Sequence, residues 1–322
     1  MNYQPVSHLL CQETKDGIRV LRAFGNQSNL SIPDTIGDKR VTEIGPYCFS
    51  ASEKPLPEDT FLWSDPGAPR RDQLPPPLQG EDLESVRLSS RIATLHNGAF
   101  YNCRQLIRLS FGPAIRGIGS DVFTNCRQLR HLEIRSDDRQ STGLPLLLER
   151  LPEDLTVTFP GGSMLFFPEY YEWLDEVTPA HLFSRTINGE GYRMRKCFRD
   201  GVLDFDKYDQ CFSSALVTES DESLCRIALS RLLYPAALSP TAKTRYQAAI
   251  KERAGLSLSM AIEARNPSLL SYICRETTPG SGLLSSAYTL ASRDHWSEGC
   301  AILTEEIGRA HHKPVFDFDM DF

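Results

Sequence analysis

Side chains that could bind a metal ion occur near the C-terminal end of the sequence. Asp317, Asp319 and Asp321 alternate like the first ligands of a calcium loop, but the glycine and glutamate that such a loop needs further on do not follow. His311 and His312 are adjacent, and adjacent side chains diverge on a helix. We therefore expect no metal site.

Motifs typical of enzymes and nucleotide-binding proteins are absent. The sequence has no GxxxxGK[ST], HExxH, GxSxG or complete GxGxxG pattern, and Gly117 and Gly119 fall inside a repeated turn. Its nine cysteines include no CxxC pair, which indicates free thiols rather than a zinc site or a disulfide scaffold. These observations predict a protein that is not an enzyme and holds no cofactor.

Targeting patterns are also absent. No window of about 18 apolar residues occurs, and the N-terminal stretch lacks a basic segment followed by an apolar one. We expect neither a membrane partner nor export, and therefore a cytoplasmic protein.

Charge is distributed unevenly along the chain. The net charge of −7 argues against nucleic acid as the partner. Residues 83–135 nevertheless carry eight arginines and three acids, a local charge of +5. A second basic group holds Arg193 and Arg195, and three acids follow it: Asp200, Asp204 and Asp206. This group either pairs with those acids or docks an acidic partner.

A 23-residue repeat positions the first group of arginines. Two stretches align over most of their length, LESVRLSSRIATLHNGAFYNCRQ from Leu83 and LIRLSFGPAIRGIGSDVFTNCRQ from Leu106, and a third copy begins at Leu129. Alternating apolar residues at the start of each copy predict short parallel strands with these side chains inward. Because one copy cannot bury its own apolar face, the copies must stack into a solenoid.

The end of each copy points to a family. Phe100 precedes Cys103 by the same three positions that separate Phe123 from Cys126. The segments IGPYCF, NGAFYNCRQL and IGSDVFTNCRQL resemble the bacterial BspA-type subfamily of leucine-rich repeats. The resemblance covers roughly residues 18–134 and implies a leucine-rich-repeat solenoid with buried cysteines. It also implies a surface adhesin, which the missing export pattern opposes.

The strand alternation predicts which side chains face outward. Two outward ladders follow from it: Ser85, Arg108 and His131 in one, and Arg87, Ser110 and Glu133 in the other. A solenoid repeats the same outward position in every coil, so these ladders form an extended surface. With the adjacent Arg130, this surface suits an acidic protein segment, unless its charges serve only solubility.

The remaining sequence divides the chain further. We predict an α+β protein with a repeat domain at 1–160, a connecting segment at 161–206, an all-α helical-hairpin domain at 207–312 and a tail at 313–322. A Pro-rich insertion at 51–82 is predicted to be irregular, and Phe167 to Val177 is predicted to be helical. The later helices resemble ankyrin-like or other α-hairpin arrays.

The tail alternates apolar and acidic residues. Phe316, Phe318, Met320 and Phe322 share one side of an extended strand, and three aspartates share the other. Such a segment either folds back on its own domain or adds to the sheet edge of a partner. We expect the partner.

The sequence thus favours a non-enzymatic scaffold or adaptor that binds protein. The predicted partner-binding residues are Arg87, Arg108, Arg130, His131, Glu133, Arg193, Arg195, Phe316, Phe318 and Phe322. Repeats followed by helices also resemble companions of MoxR-type ATPases and von Willebrand A-type proteins, which implies such a protein as the partner. Two alternatives stay open, an enzymatic or small-molecule-binding helical domain and a surface adhesin.

Overall fold

The computed structural model describes residues 2–52, 55–65, 74–177 and 182–311. The chain divides into two compact units, Met1–Thr218 and Glu219–Phe322. The predicted tail at 313–322 lies outside the described residues, so its extended strand stays a prediction.

The strands of the first unit are β1 (Gln4–Pro5), β2 (His8–Thr14), β3 (Gly17–Phe24), β4 (Asn29–Ser31), β5 (Thr35–Ile36), β6 (Lys39–Ile44), β7 (Thr60–Ser64), β8 (Ser85–Arg87), β9 (Thr94–Leu95), β10 (Arg108–Phe111), β11 (Gly117–Ile118), β12 (His131–Ile134), β13 (Leu155–Thr158), β14 (Met164–Phe167), β15 (Tyr171–Val177), β16 (Leu182–Asn188), β17 (Phe198–Arg199) and β18 (Val202–Leu203). Its helices are α1 (Leu144–Leu148), α2 (Gly191–Met194) and α3 (Phe205–Thr218).

Two sheets form the solenoid. The first has the order β1-β4-β8-β10-β12-β13-β14, and the second has the order β11-β9-β6-β3-β2-β7, with β5 paired to β6. Each of the two coils that begin at Leu83 and Leu106 contributes one strand to each sheet, so that β8 and β10 lie in the first sheet and β9 and β11 in the second. Leu109 is paired in parallel with Val86 on one side and Leu132 on the other, which is one repeat in each direction. The predicted parallel rungs are confirmed.

Stacked aromatic rings fill the solenoid core. The ring centroids of Phe49 and Phe100 lie 5.0 Å apart, and those of Phe100 and Phe123 lie 5.6 Å apart. The Cys103 thiol donates to the Phe49 carbonyl at 3.4 Å, and the Cys126 thiol donates to the Phe100 carbonyl at 3.1 Å. The repeated cysteines are therefore buried core groups, as the resemblance implies.

Turns of the solenoid also repeat with the sequence. Gly98 and Asp121 occupy equivalent positions and have φ values of 62° and 55°, while Asn102 and Asn125 have 63° and 65°. Glycine and short polar residues adopt this left-handed conformation at low cost. The Asn125 side-chain amide donates to Asn102 Oδ1 at 2.7 Å, which joins adjacent turns.

Two local predictions were wrong. The insertion is not irregular throughout, because β7 pairs antiparallel with β2. The segment 167–177 is not a helix: Phe167 ends β14, which pairs antiparallel with β13, and β15 forms a hairpin with β16. Aromatic residues such as Tyr171 and Trp173 favour strands, and the edge of the first sheet offers backbone groups that β14 satisfies.

The second unit is a stack of helical hairpins. Its helices are α4 (Asp221–Leu233), α5 (Pro240–Glu252), α6 (Ala254–Glu263), α7 (Pro267–Thr277), α8 (Ser281–Arg293) and α9 (Ser297–His311). Contacts join α4 to α5, α6 to α7 and α8 to α9, and further contacts join α4 to α6, α6 to α8, α5 to α7 and α7 to α9. Arg265 and His295 hold equivalent left-handed positions in the α6–α7 and α8–α9 turns, with φ of 44° and 52°. The predicted helical-hairpin region is confirmed.

Candidate functional site

The outward side of the first sheet carries the predicted ladders in the predicted register. Arg108 is paired with Ser85 and with His131 on the neighbouring strands, and Ser110 is paired with Arg87 and Glu133. Residues two apart on a strand point to the same side of the sheet. All of these side chains therefore belong to one surface, which we call the outward face.

Long side chains supply the accessible chemistry of the outward face. Ser85 and Ser110 are buried, whereas Arg87, Arg108, His131 and Glu133 are half-buried. Arg130 is also half-buried, and its guanidinium donates to the carbonyl of Leu129 at 3.1 Å. The structure thus places four predicted contact residues of the repeats, Arg87, Arg108, His131 and Glu133, on one face, and Arg130 directly precedes β12.

Two further residues join this face. The Arg87 guanidinium carbon lies 4.2 Å from the centroid of the Tyr3 ring, a cation–π contact. Arg135 stands two positions after Glu133, and its Nη2 donates to the carbonyl of Leu88. Arg135 could have been identified by continuing the strand alternation two positions past Glu133. Tyr3 could not, because no feature of the sequence shows that the segment before β1 contacts the repeats. We name the set Tyr3, Arg87, Arg108, Ser110, Glu133 and Arg135 the arginine cluster.

The environment of the arginine cluster affects its titration. Burial raises the pKa of Tyr3, and the nearby Glu133 carboxylate raises it further. The Tyr3 hydroxyl is therefore protonated near neutral pH and can donate a hydrogen bond. Burial lowers the pKa of Arg135, and the like charge of Arg87 adds to this effect. The positive charges of the cluster lie close enough to oppose one another.

Arg193 and Arg195, which the sequence places together on a docking patch, lie in different environments. Arg195 is 2% exposed, so its predicted contact with a partner is wrong. Its guanidinium donates to the carbonyls of Leu151, Pro168, Gly191 and Glu153. Arg193 is exposed and lies 3.3 Å from a carboxylate oxygen of Glu190.

The acids near Arg193 pair with basic side chains. Arg199 Nη2 lies 3.3 Å from Asp204 Oδ2, and Lys196 Nζ lies 2.6 Å from Glu149 Oε1. Pairing at the surface therefore accounts for much of this second basic group.

A groove of about 780 Å³ lies along the second sheet. Its lining includes Arg40, Arg91 and Arg116 together with the carboxylate of Glu43. Glu43 Oε2 accepts from Arg19 Nε at 2.7 Å and lies 2.6 Å from His96 Nε2. Burial acts to raise the pKa of Glu43, but these hydrogen bonds outweigh it and the pKa is lowered. The carboxylate is thus held ionised between two partners, which suits structural pairing rather than proton abstraction.

The described ranges contain neither a metal-binding group nor a membrane-spanning helix. Among these residues, no group of three or more His, Cys, Asp or Glu side chains could hold a metal ion. No helix in the same part of the chain has the length and apolar character needed to cross a bilayer. The predicted contacts Phe316, Phe318 and Phe322 lie outside the described residues.

Comparisons with known proteins identify the repeats. Residues 78–142 match a family model described as a BspA-type leucine-rich repeat region of six copies. No curated protein and no solved structure matches the chain. The match begins near the end of the insertion at 51–82 and includes β8, β10 and β12, which carry the outward face. With its parallel solenoid and the helical region that follows, the chain carries a leucine-rich repeat region of the BspA type.

Proposed function

We propose that this protein is a non-enzymatic binding scaffold whose contact surface is the outward face of the first sheet. Leucine-rich repeats are generally protein-interaction modules, and their solenoid is typically non-enzymatic. The observation that carries the proposal is the register of Arg87, Arg108 and His131 on three neighbouring strands. Paired strands fix the backbone positions of these side chains, so binding orders no backbone, which favours affinity.

The charge of the outward face indicates the chemistry of the partner. Arg87, Arg108, Arg130 and Arg135 outnumber the two acids Glu84 and Glu133 on the strands β8, β10 and β12 and directly beside them. Opposite charges steer association and select between partners. An acidic segment of another protein fits this surface best.

The identity of the partner and the contacts outside the outward face are further parts of the proposed function. A MoxR-type ATPase or a von Willebrand A-type protein stays a prediction for the partner, and so does a cytoplasmic location. The tail residues Phe316, Phe318 and Phe322 are proposed as a second contact, on the strength of their alternation with aspartates. Arg193 remains a proposed contact because its head group is exposed.

Co-purification from the native host tests the outward face. Arg108→Glu reverses one charge on this face, and Arg116→Glu makes the same change in the groove of the second sheet. We expect Arg108→Glu to reduce the recovery of the partner at least about tenfold, whereas Arg116→Glu leaves it unchanged. Circular dichroism of both variants checks that they fold. Equal recovery of the partner with the wild-type protein and with Arg108→Glu would contradict the proposal. Removal of residues 315–322 tests the contribution of the tail separately.

A further inference from the structure

We propose that the arginine cluster binds a phosphoryl group carried by a side chain of the protein partner. This inference rests on the proposed function, because it assigns a chemical group to the segment that the outward face binds. The site would take a phosphorylated serine, threonine or tyrosine rather than an aspartate or glutamate.

Hydrogen-bonding groups without partners are concentrated in the arginine cluster. Only a few buried side-chain nitrogen or oxygen atoms of the described residues have no hydrogen-bond partner. Five of them belong to this cluster: Tyr3 Oη, Arg87 Nε, Arg108 Nε, Ser110 Oγ and Arg135 Nε. Buried polar groups in native proteins are nearly always satisfied, so such a concentration calls for an absent acceptor. All five groups can donate, and a ligand rich in acceptor oxygens would satisfy them.

The three guanidinium groups of the arginine cluster favour a dianion over a monoanion. Arg87, Arg108 and Arg135 contribute three positive charges, Glu133 contributes one negative charge, and the Asp34 carboxylate lies near enough to Arg135 to interact with its charge. A phosphoryl group at neutral pH carries a charge of about −1.5 to −2 and three strong acceptor oxygens. A carboxylate carries one negative charge and two oxygens. It would leave part of the positive charge of the arginine cluster uncompensated and some of its hydrogen-bond donors without an acceptor. Guanidinium groups also fit the oxygens of a phosphoryl group in a bidentate manner.

The position of the arginine cluster favours one shared anion. Neighbouring strands lie about 4.8 Å apart, so the side chains of Arg87 on β8 and Arg108 on β10 can reach the same group. The Tyr3 ring supports Arg87 from one side, and the carbonyl of Leu88 restrains Arg135. Such supports reduce the entropy that the arginines lose when an anion binds.

A polyanion fits the arginine cluster less well than a single phosphoryl group. Glu133 lies on the third strand of the same ladder as Arg87 and would repel a second phosphate placed along it. The net charge of the chain, −7, likewise opposes binding to a nucleic acid. A phosphorylated protein segment avoids both conflicts.

Binding of short peptides tests the assignment. The full chain is titrated with the peptide Ala-Ala-Ser-Ala-Ala phosphorylated on serine and with its glutamate counterpart, by calorimetry and by ³¹P nuclear magnetic resonance of the phosphopeptide. We expect the phosphopeptide to bind at least about tenfold more tightly than the glutamate peptide. Arg87→Gln and Arg108→Gln should each weaken phosphopeptide binding about tenfold, and Arg116→Gln, which removes the same charge from the groove of the second sheet, should not change it.

Several outcomes would overturn the inference. Equal affinity for the two peptides would remove the preference for a phosphoryl group, and tighter binding of inorganic phosphate or of a single-stranded oligonucleotide would point to another source of anion. Unchanged binding by Arg87→Gln and Arg108→Gln would place the anion elsewhere. Because a cluster variant could also unfold, Tyr3→Phe provides a milder change that removes one hydroxyl, and it should weaken phosphopeptide binding measurably without altering the circular dichroism spectrum.

Phosphatase treatment separates this inference from the proposed function. If partner recovery depends on Arg108 but survives phosphatase treatment of the host extract, the phosphoryl assignment fails and the binding face stands. If recovery of the partner does not depend on Arg108, the proposed function fails regardless of the result of the peptide titrations. Loss of the partner after both the substitution and the phosphatase treatment supports both.

Discussion

Arg193 and Arg195 stand two positions apart and show how environment decides the role of a charged residue. The Arg195 guanidinium donates to four backbone carbonyls and lies 5.2 Å from the centroid of the Tyr170 ring. Burial lowers the pKa of Arg195 to about 10, which leaves the side chain cationic at neutral pH. It therefore links the end of the solenoid to the segment around α2.

Substitution of these two arginines should have very different effects. We expect Arg195→Ala to lower the free energy of unfolding by at least about 3 kcal/mol, because several buried carbonyls lose their donor. Arg193→Ala should lower it by about 0–1 kcal/mol, since its ion pair is exposed. Urea unfolding followed by circular dichroism measures both. A loss of similar size in the two variants would contradict the structural role of Arg195.

The positions of some single residues could be predicted from the sequence, and those of others could not. Periodicity placed Arg87, Arg108 and His131 on one face because the repeat fixes their register. The same reasoning could not separate Arg195 from Arg193, because burial depends on Leu151 and other residues distant in the sequence. Tyr3 was missed for the same reason, since it reaches Arg87 only through the pairing of β1 with β4.

At the scale of elements, the aromatic stack determines how the coils hold together. The Phe100 ring contacts the rings of both Phe49 and Phe123, and its side chain is fully buried. We expect Phe100→Ala to lower the free energy of unfolding by about 3–5 kcal/mol, because the cavity cannot close between two fixed coils.

An exposed residue of the same unit gives the control for this prediction. Leu62 on β7 is 47% exposed, and Leu62→Ala should cost about 0.5 kcal/mol or less. Urea denaturation of both variants provides the comparison. An effect of Phe100→Ala no larger than that of Leu62→Ala would show that the stack contributes little.

Elements were predicted best where the sequence repeats. The solenoid strands and the helices α4 to α9 follow from strong periodicity of two or of three to four residues. The segment 167–177 was assigned to the wrong class because its apolar spacing fits a helix as well as a strand. Only the pairing of β14 with β13 and of β15 with β16 decides between them, and such pairing depends on partners in other parts of the chain.

At the scale of the whole molecule, the two units have different architectures. The first combines parallel coils with an antiparallel hairpin of β2 and β3, and the second stacks helical hairpins. The local charge of +5 in residues 83–135 belongs to the first unit, although the chain as a whole carries −7. The residues of the chain outside 83–135 therefore carry a strongly negative net charge. The positive charge of the outward face contrasts with that of the rest of the chain. This contrast favours recognition of an acidic partner by one face.

Site-specific photocrosslinking tests most directly whether the outward face binds a partner. Thr156 on β13 continues the ladder of Arg108 and His131, and Thr94 on β9 lies in the second sheet. A photoreactive residue at either position replaces a half-buried threonine on a strand. We predict that the probe at position 156 forms an adduct with the partner in host extract and that the probe at position 94 does not. An adduct at position 94 with none at position 156 would contradict the assignment of the binding face.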